Sequence, residues 1–548
     1  MIMDQRTRKD VFPQKIVLIN GDVKNAEKLL SAKPLQITTD EPDCAVLSNG
    51  SDGNCAEVLL DFGVEMNAAP RILTHVISGV DPAKVRIVSG ESVSEAMSDI
   101  GGEKNATNDH ALRDYETLLP QFSDMTFSES GFRFLRLRLE SPNTTLRIKS
   151  IAATAIYRDI PYLGTFECSN SVINNIYSTA AYTCHQCMQQ FVWDGIKRDR
   201  LVWVGDMHPE MLTIRTVFGP QKVFEDSLSF MRDQTPVSGW MNGMPSYSLW
   251  WLIMAWDWYF YTGNKAFLEE NRGYALALAD KIQSLVDENG EDSLPGYFLD
   301  WPSHDTDWEQ AGTRALMALA LEKCELLCAE LGKPELGVLC KAKAELICKT
   351  PLNTHGAKQV EAMAALAGWK NMTEAGENIL ICGAKGFSTF MSYYLFTVAA
   401  AADSEKALEI LESYYGAMLS LGATTFWEDF NVDWLGSSAA PIDAPVKEGE
   451  NDIHGDHGAF CYIGLRHSLC HGWSSAVTAF LAEKVLGIKI AAPGCREIVI
   501  CPDLCGLDFA RGTYPTPHGV LSVSVTKDEK GLSVDYTAPE GVKVRIEK

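Results

Sequence analysis

The sequence predicts a multidomain, mainly α fold, in which an (α/α)6 barrel is flanked by an N-terminal β-sandwich and a small C-terminal β-sandwich. Three observations predict it. With 548 residues, the chain is too long for one hydrophobic core, so several domains are expected. Residues 1–160 and 489–548 contain short strand-like runs separated by Gly, Asn, Asp and Pro. Between them, the hydrophobic pattern of residues 161–488 changes to a helical period.

The N-terminal domain, residues 1–160, is predicted to be a β-sandwich. Apolar residues and Arg alternate along Phe132–Leu139, which is typical of a half-buried antiparallel strand. The Gly- and Asn-rich segment Asp99–Asp109 predicts a long loop. The predicted strands include Lys15–Asn20, Glu57–Phe62, Lys84–Ser89 and Phe132–Leu139.

The middle domain, residues 161–488, is predicted to contain about a dozen helices, and paired helices in this number fit an (α/α)6 barrel. The loops at one end of such a barrel commonly form a sugar-binding cleft. An α-solenoid is the alternative, although the sequence has no repeat consensus of fixed period. The predicted helices are Ser171–Gln190, Trp203–Val217, Gln221–Arg232, Tyr247–Tyr261, Lys265–Glu288, Gln310–Leu331, Pro334–Cys348, Lys358–Ala367, Met372–Leu380, Ser388–Ala401, Glu405–Ser420 and Trp473–Val485.

The C-terminal domain, residues 489–548, returns to a strand pattern. The runs Glu497–Cys501, Gly519–Thr526 and Gly531–Tyr536 are short and separated by turn residues. They predict a small closing β domain.

The composition restricts the possible partners. The formal net charge of −24 argues against nucleic acid and favours a neutral small-molecule substrate. No run of eighteen apolar residues predicts a membrane span, and no leader segment is recognisable, so a cytoplasmic location is expected. A secreted or periplasmic location is the alternative if a signal peptide was removed. No His/Cys cluster has metal-ligand spacing, so neither a metal nor a cofactor is predicted. The oligomeric state stays open.

The segment Asp194–Asp206 is the most informative part of the chain. It combines three carboxylates, three cations, one Trp and two Gly residues, which suits neither a solvated helix face nor a core segment. If the segment from Asp199 is helical, Asp199, Trp203 and Asp206 fall on one stripe at i, i+4 and i+7. Carboxylates bind sugar hydroxyls and transfer protons, and an indole packs on the apolar C–H face of a sugar ring.

Further Trp and acidic residues recur at predicted loops or helix starts in the barrel region. Asp300 lies beside Trp301, where it could instead cap a helix, and Trp250 lies in an apolar helix, where a core position is the alternative. Glu428 follows Trp427 and precedes Asp429, so an aromatic, half-buried setting should raise its pKa.

Two separated carboxylates in an aromatic cleft without a metal set imply glycoside hydrolysis. One carboxylic acid protonates the leaving oxygen, and the second carboxylate activates water or attacks carbon. The sequence has no nucleophile elbow, dinucleotide fingerprint or P-loop that would indicate a different chemistry.

These motifs resemble those of the α-L-rhamnosidases of glycoside hydrolase family 78. The family's acidic loop D-(x)-R-(D/E)-R-x-x-W-x-G-D is matched by residues 194–206, and its A-T-T-x-W-E motif by residues 423–428. Asp300-Trp301 resembles its D-W loop, and His471 the sugar-contacting His that follows the base motif. The C-terminal β domain resembles that of the family as well.

The resemblance implies an inverting mechanism that cleaves terminal α-L-rhamnosyl residues, with Asp199 as general acid and Glu428 as general base. It implies substrate-binding roles for three further acids, a basic residue, four Trp residues and a His: Asp194, Asp206, Asp300, Arg200, Trp203, Trp250, Trp301, Trp427 and His471. Two alternatives stay open. One is another (α/α)6 sugar enzyme, such as an unsaturated uronyl hydrolase, and the other is a non-catalytic carbohydrate-binding relative.

Overall fold

A computed structural model describes residues 4–40, 43–51, 53–436, 438–528 and 531–547. In the N-terminal part, ten strands form one antiparallel system whose central path runs β3-β4-β10-β5-β9-β6-β7. The strands are β1 (Thr7–Val11), β2 (Lys15–Asn20), β3 (Asp22–Lys24), β4 (Ala45–Asn49), β5 (Glu57–Ser78), β6 (Ala83–Gly90), β7 (Asp114–Leu119), β8 (Asp124–Thr126), β9 (Ser130–Leu139) and β10 (Thr144–Tyr157), with helix α1 (Val93–Met97) between β6 and β7.

The long strand β5 joins the layers of this domain because it changes partners along its length. Its first residues pair with β2 and β9, and its later residues pair with β10 and β8. Side chains from β4, β5, β6, β9 and β10 meet in one buried apolar cluster that includes Phe62 and Phe132, whose rings contact edge-on. This domain therefore has its own core.

The following residues are mainly helical. After strand β11 (Thr165–Cys168), the helices are α2 (Ser171–Cys187), α3 (Met207–Thr213), α4 (Lys222–Gln234), α5 (Pro245–Thr262), α6 (Lys265–Ser284), α7 (Glu309–Glu330), α8 (Pro334–Ile347), α9 (Lys358–Leu366), α10 (Met372–Leu380), α11 (Ser392–Ala402), α12 (Ser404–Ser420) and α13 (Val477–Phe480). Consecutive helices pack on one another, for example α5 with α6, α7 with α8, and α11 with α12. Helix α5 is apolar on all faces and largely buried, as expected of a helix inside a large core.

This arrangement confirms the predicted fold class, and most helices lie where the hydrophobic period placed them. Two predicted helices differ. Trp203–Val217 becomes helical only at Met207 and ends as a π-helical turn, Ile214–Phe218. Trp473–Val485 is divided into a 3₁₀ turn, the short α13 and a second π-helical turn, Leu481–Val485. Among the described helices, none has the length and apolarity that a membrane crossing requires.

The C-terminal residues form two small sheets with strands β12 (Ala439–Ala440) and β13 (Asn451–Asp452) paired separately before them. The remaining strands are β14 (Ile488–Ile490), β15 (Glu497–Ile500), β16 (Phe509–Thr516), β17 (Gly519–Asp528), β18 (Gly531–Thr537) and β19 (Lys543–Ile546). One sheet has the order β11-β16-β17-β18, and the other has the order β14-β15-β19. Strand β11, which lies within the predicted barrel range, therefore belongs to the C-terminal sheet.

Candidate active site

A cavity of about 390 Å³ opens where the loops before α3, before α5, after Phe298 and around residues 424–473 meet a loop of the N-terminal domain. Its volume is in the range of small-molecule sites. Seven of the predicted site residues line it: Asp194, Asp199, Trp203, Asp206, Trp301, Glu428 and His471. The cavity also exposes Arg198, His110, Tyr247, Met244 and Trp473. Acids and indoles far apart in the chain are thus brought together.

The segment from Asp194 to Asp206 reaches the cavity as a loop and not as a helix. Asp199 and Arg200 both have left-handed backbone conformations, each with φ of 54°. Such conformations cost non-glycine residues about 1–3 kcal/mol each and concentrate at functional sites. The loop is held in place because the amide of Gly472 donates to the carbonyl of Asp194 at 2.7 Å and Gly195 bridges to His471. The predicted helical stripe is wrong, although its three members do line one cavity.

The carboxylate of Asp199 is held by three side chains. The indole Nε1 of Trp203 donates to Oδ2 at 3.2 Å. Arg198 Nη1 lies 3.4 Å from Oδ1, and Nε2 of His110 lies 3.0 Å from the same oxygen. The orientation of this carboxylate is therefore fixed from several directions.

Glu428 is fixed even more firmly. Its Oε1 is paired with Nη2 of Arg198, and its Oε2 accepts the amide of Ser468 at 3.0 Å. Its own carbonyl accepts the hydroxyl of Thr389 at 2.6 Å and the indole of Trp473 at 2.9 Å. One guanidinium therefore contacts both carboxylates, Glu428 through Nη2 and Asp199 through Nη1.

Three carboxylates surround one imidazole nitrogen on the cavity wall. His471 Nε2 lies 3.7 Å from Asp194 Oδ2, 3.9 Å from Asp206 Oδ2 and 3.9 Å from Glu428 Oε1. Tyr247 donates its hydroxyl to Asp206 at 2.9 Å. Close, convergent polar groups of this kind suit the hydroxyl groups of a sugar.

Burial determines the protonation of these groups. It raises the pKa of Asp194 well above its usual value, with the charges of Asp206 and Asp199 adding to the effect. Burial likewise raises the pKa of Asp206, against the hydrogen bond from Tyr247. The pKa of His471 is lowered well below its usual range by burial and by Arg198. A neutral imidazole between protonated acids avoids the cost of several buried charges.

Glu428 differs from its neighbours because a cation faces it. Burial raises its pKa, but the Arg198 guanidinium and the Ser468 amide favour the charged form. A carboxylate that accepts such donors is suited to act as a base rather than as a proton donor.

Glu210 on α3 lies directly behind this wall. Its side chain is fully buried against Gly472, and neither carboxylate oxygen has a hydrogen-bond partner among the described residues. Burial raises its pKa well above the usual value, and Asp206 and Asp194 add to this. At a pH between the usual Glu pKa and this raised pKa, Glu210 is protonated in the folded protein and ionised in the unfolded chain.

We predict that Glu210→Gln stabilises the protein increasingly as pH rises. A raised folded pKa makes the wild type lose stability between the unfolded and folded pKa values, by up to about 1.4 kcal/mol per pH unit, and Gln removes this loss. The midpoints of thermal unfolding of the two proteins are measured at a fixed scan rate from pH 5 to pH 8. The midpoint of the variant should exceed that of the wild type by a margin that grows with pH. Parallel curves for the two proteins would show that Glu210 is ionised in the folded state.

A buried polar cluster connects this site to the N-terminal domain. The ammonium of Lys197 lies 3.1 Å from Glu91 Oε2 and 3.2 Å from Glu95 Oε1. Glu91 also accepts the amide of Leu469 at 2.6 Å and the hydroxyl of Ser468 at 3.2 Å. The acids of α1 and its preceding turn thus hold both the loop before Arg198 and the loop that contacts Glu428.

Two clusters of described residues have the spacing of metal ligands. Glu91, Glu95 and His454 form one, but the ammonium of Lys197 already balances its acids. His304, Asp305 and Glu309 form the other on the surface, with Asp305 exposed. Neither cluster lines the cavity.

Four predicted site residues do not line the cavity. Arg200 points away and donates to the carbonyls of Glu129 and His110. Trp250 is 1% exposed and packs on His208 and Tyr394, because α5 is a core helix.

The other two lie behind the residues that follow them. Asp300 is buried, and its carboxylate accepts the hydroxyl of Ser388 while Trp301 reaches the cavity. Burial raises the pKa of Asp300 to about 7. Trp427 is buried against Phe430, so only Glu428 of that pair is presented. None of these four side chains therefore lines the cavity to which their predicted contacts with substrate referred.

The sequence reasoning missed three contributors. Arg198 contacts the two central carboxylates, although the resemblance assigned the basic role to Arg200. Tyr247, whose hydroxyl reaches Asp206, follows the predicted loop that begins at Trp240, and this position was a usable signal. His110 comes from the N-terminal domain, and no local pattern predicted it.

A helical barrel flanked by β domains, with acids and indoles converging on one cavity, defines the class of six-hairpin glycosidase folds. The model of the bacterial α-L-rhamnosidase six-hairpin glycosidase domain matches residues 161–326, and that of the bacterial α-L-rhamnosidase C-terminal domain matches residues 487–547. Two regions of the chain thus match domain models of the bacterial α-L-rhamnosidases, which confirms the predicted resemblance.

Individual relatives agree with these matches. An α-L-rhamnosidase from Alteromonas sp. strain LOR is 24% identical over 88% of the chain, which spans about half (55%) of that protein. Among solved structures, the family 78 rhamnosidase of Bacillus sp. GL1 has a TM-score of 0.74 at 21% identity, covering 93% of this chain and 54% of its own. The Klebsiella oxytoca rhamnosidase with rhamnose bound has a TM-score of 0.68 at 18% identity, covering 87% and 96%. The last two show the fold.

Proposed function

We propose that this protein is a glycosidase that cleaves terminal α-L-rhamnosyl residues from glycosides by an inverting two-carboxylate mechanism. The observation that carries the proposal is the placement of Asp199 and Glu428 in one cavity, on either side of the Arg198 guanidinium. Inverting glycosidases need carboxyl groups roughly 6.5–9.5 Å apart, so that a water fits between Glu428 and the sugar. A relative named as an α-L-rhamnosidase and a solved rhamnosidase with rhamnose bound support the choice of sugar.

In this mechanism Asp199 donates a proton to the glycosidic oxygen as the bond to the anomeric carbon breaks. Glu428 accepts a proton from the water that attacks that carbon from the opposite face. Arg198 favours the ionised form of Glu428 and contacts the carboxylate of Asp199 as well. The contacts of Glu428 with Arg198 and Ser468 thus suit the step in which it acts as a base.

The remaining wall is suited to a 6-deoxy sugar. Asp194, Asp206 and His471 present hydrogen-bonding groups on one side of the cavity. Trp301, stacked on Phe460 at 5.5 Å, and Met244 present apolar surface. A sugar with a methyl group at C6 buries that methyl without leaving an unpaired hydroxyl.

The proposal is tested with a panel of nitrophenyl glycosides and proton NMR of the first product. We expect turnover of the α-L-rhamnoside well above that of the α-L-fucoside, α-D-mannoside and unsaturated uronide members of the panel. The β-anomer of rhamnose should appear before mutarotation. Binding of rhamnose without turnover would identify a carbohydrate-binding protein, and preferred cleavage of the uronide would identify the other class of hydrolase. The α-anomer appearing first would refute inversion.

A further inference from the structure

A loop of the N-terminal domain, residues 98–113, forms part of the cavity wall. Its ends follow α1 and precede β7, and its middle is fastened to the barrel domain. Lys104 lies 3.1 Å from Asp456, and its carbonyl accepts the amide of Leu465 at 2.7 Å. Asp109 pairs with Arg466 at 2.8 Å. The loop therefore has a defined position over the cavity.

The tip of this loop places a histidine on the cavity acid. His110 has a left-handed backbone with φ of 63°, and its carbonyl is held at 2.7 Å by the guanidinium of Arg200. Its Nε2 lies 3.0 Å from Asp199 Oδ1, while 40% of its side chain is exposed. One side of the ring thus meets the acid, and the ring also reaches solvent.

The other two partners of Asp199 cannot supply it with a proton. Arg198 remains a guanidinium at any pH a protein experiences, and the indole of Trp203 does not exchange its N–H as an acid. Imidazole is the side chain that gains and loses a proton near neutrality. Among the described side chains that contact Asp199, only His110 can therefore pass a proton to it.

We infer that His110 orients Asp199 and returns its proton after each turnover. This inference rests on the proposed function, in which Asp199 gives its proton to the leaving oxygen and becomes a carboxylate. The imidazolium Nε2–H of His110 then transfers to Oδ1, and the neutral imidazole takes a proton from solvent. The charged groups around this transfer are Arg198, Asp109 and Arg466 beside it, with Asp194, Asp206 and Glu428 across the cavity. His110 is thus a positioning residue that acts through Asp199.

The test compares substrates that do and do not need a proton on the leaving oxygen. We expect His110→Ala to lower kcat about 10–100-fold on a methoxyphenyl α-L-rhamnoside, whose leaving group is poor. On the dinitrophenyl rhamnoside, whose leaving group needs no proton, the loss should be less than about threefold. Added imidazole should restore part of the rate on the first substrate. Leu112→Ala, exposed on the same loop, should leave both rates unchanged.

A double-mutant cycle shows whether His110 acts through Asp199. Adding His110→Ala to Asp199→Asn should change kcat by less than about twofold, because the proton acceptor is already gone. His110→Gln keeps a donor near Oδ1 and serves as a second variant if the Ala protein folds poorly. His110→Gln should bind substrate as the wild type does. Its kcat should be lowered on the methoxyphenyl rhamnoside, whose leaving group is poor.

Equal losses on both substrates, or additive effects in the cycle, would overturn the role of His110 while leaving the rhamnosidase proposal in place. A wild-type protein without turnover of any rhamnoside would overturn the proposed function and this inference together.

Discussion

Replacing Glu428 by Gln is expected to lower kcat on α-L-rhamnosides by about 10³-fold or more, with the fold retained. Gln has the same shape and can still accept the Ser468 amide, but it cannot take a proton from water. The measurement is the initial rate on nitrophenyl α-L-rhamnoside together with the thermal midpoint. Glu377→Gln, an exposed position on α10, is the matched control and should be indistinguishable from the wild type.

A second variant separates loss of the base from general damage. Glu428→Ala leaves room for a small anion on the face where water attacks. With azide and an activated aryl rhamnoside, we expect rate recovery and formation of the β-L-rhamnosyl azide, since azide needs no deprotonation. Near-normal hydrolysis by Glu428→Gln, or an azide product of the α configuration, would remove Glu428 from its assigned role.

Replacing Lys197 by Met is expected to destabilise the protein by about 3–5 kcal/mol, because it removes the cation that two buried carboxylates share. Burial raises the pKa of Glu91 to about 7, even against Lys197. Burial also acts to raise the pKa of Glu95, but the charges of Lys197 and Arg113 outweigh it and hold that pKa below its usual value. Without Lys197 both folded pKa values rise. The deficit should therefore grow as pH rises and be smaller at pH 6 than at pH 8.

Thermal unfolding of Lys197→Met and of the control Lys349→Met, an exposed position, provides the measurement. The control should match the wild type at every pH. Because Glu91 holds Leu469 and Ser468, the Lys197 variant should also lose activity before it unfolds. An unchanged midpoint would mean that the cluster tolerates its charges without the ammonium.

The hydrophobic period determined where most helices lie, because each buries a continuous apolar face. It did not determine the conformation of Asp194–Asp206, whose shape depends on distant residues. There, the backbone of Gly131 approaches Ile196 so closely that a side chain at Gly131 would collide. The composition of that segment still indicated its chemistry, since acids and an indole are needed whatever the backbone does.

The candidate site also shows which residues the local sequence could predict and which it could not. The place of Glu428 in the cavity was predictable because the motif that contains it, residues 423–428, is continuous in sequence. His110 was not, because its importance arises only when a loop from one domain meets a carboxylate of another. Trp250 and Trp427 were predicted to contact substrate, but both are buried in the hydrophobic core. An aromatic residue beside a site residue can therefore belong to the core.

Strand β11 precedes the helices in sequence but pairs with β16, more than three hundred residues later. This pairing joins the beginning of the helical region to the C-terminal part of the chain. Shortening the protein after the last helix would strip β11 of its neighbour and leave an open sheet edge, a surface that invites aggregation. A domain exchange with another protein should therefore move the helical domain and the C-terminal sheet together as one unit.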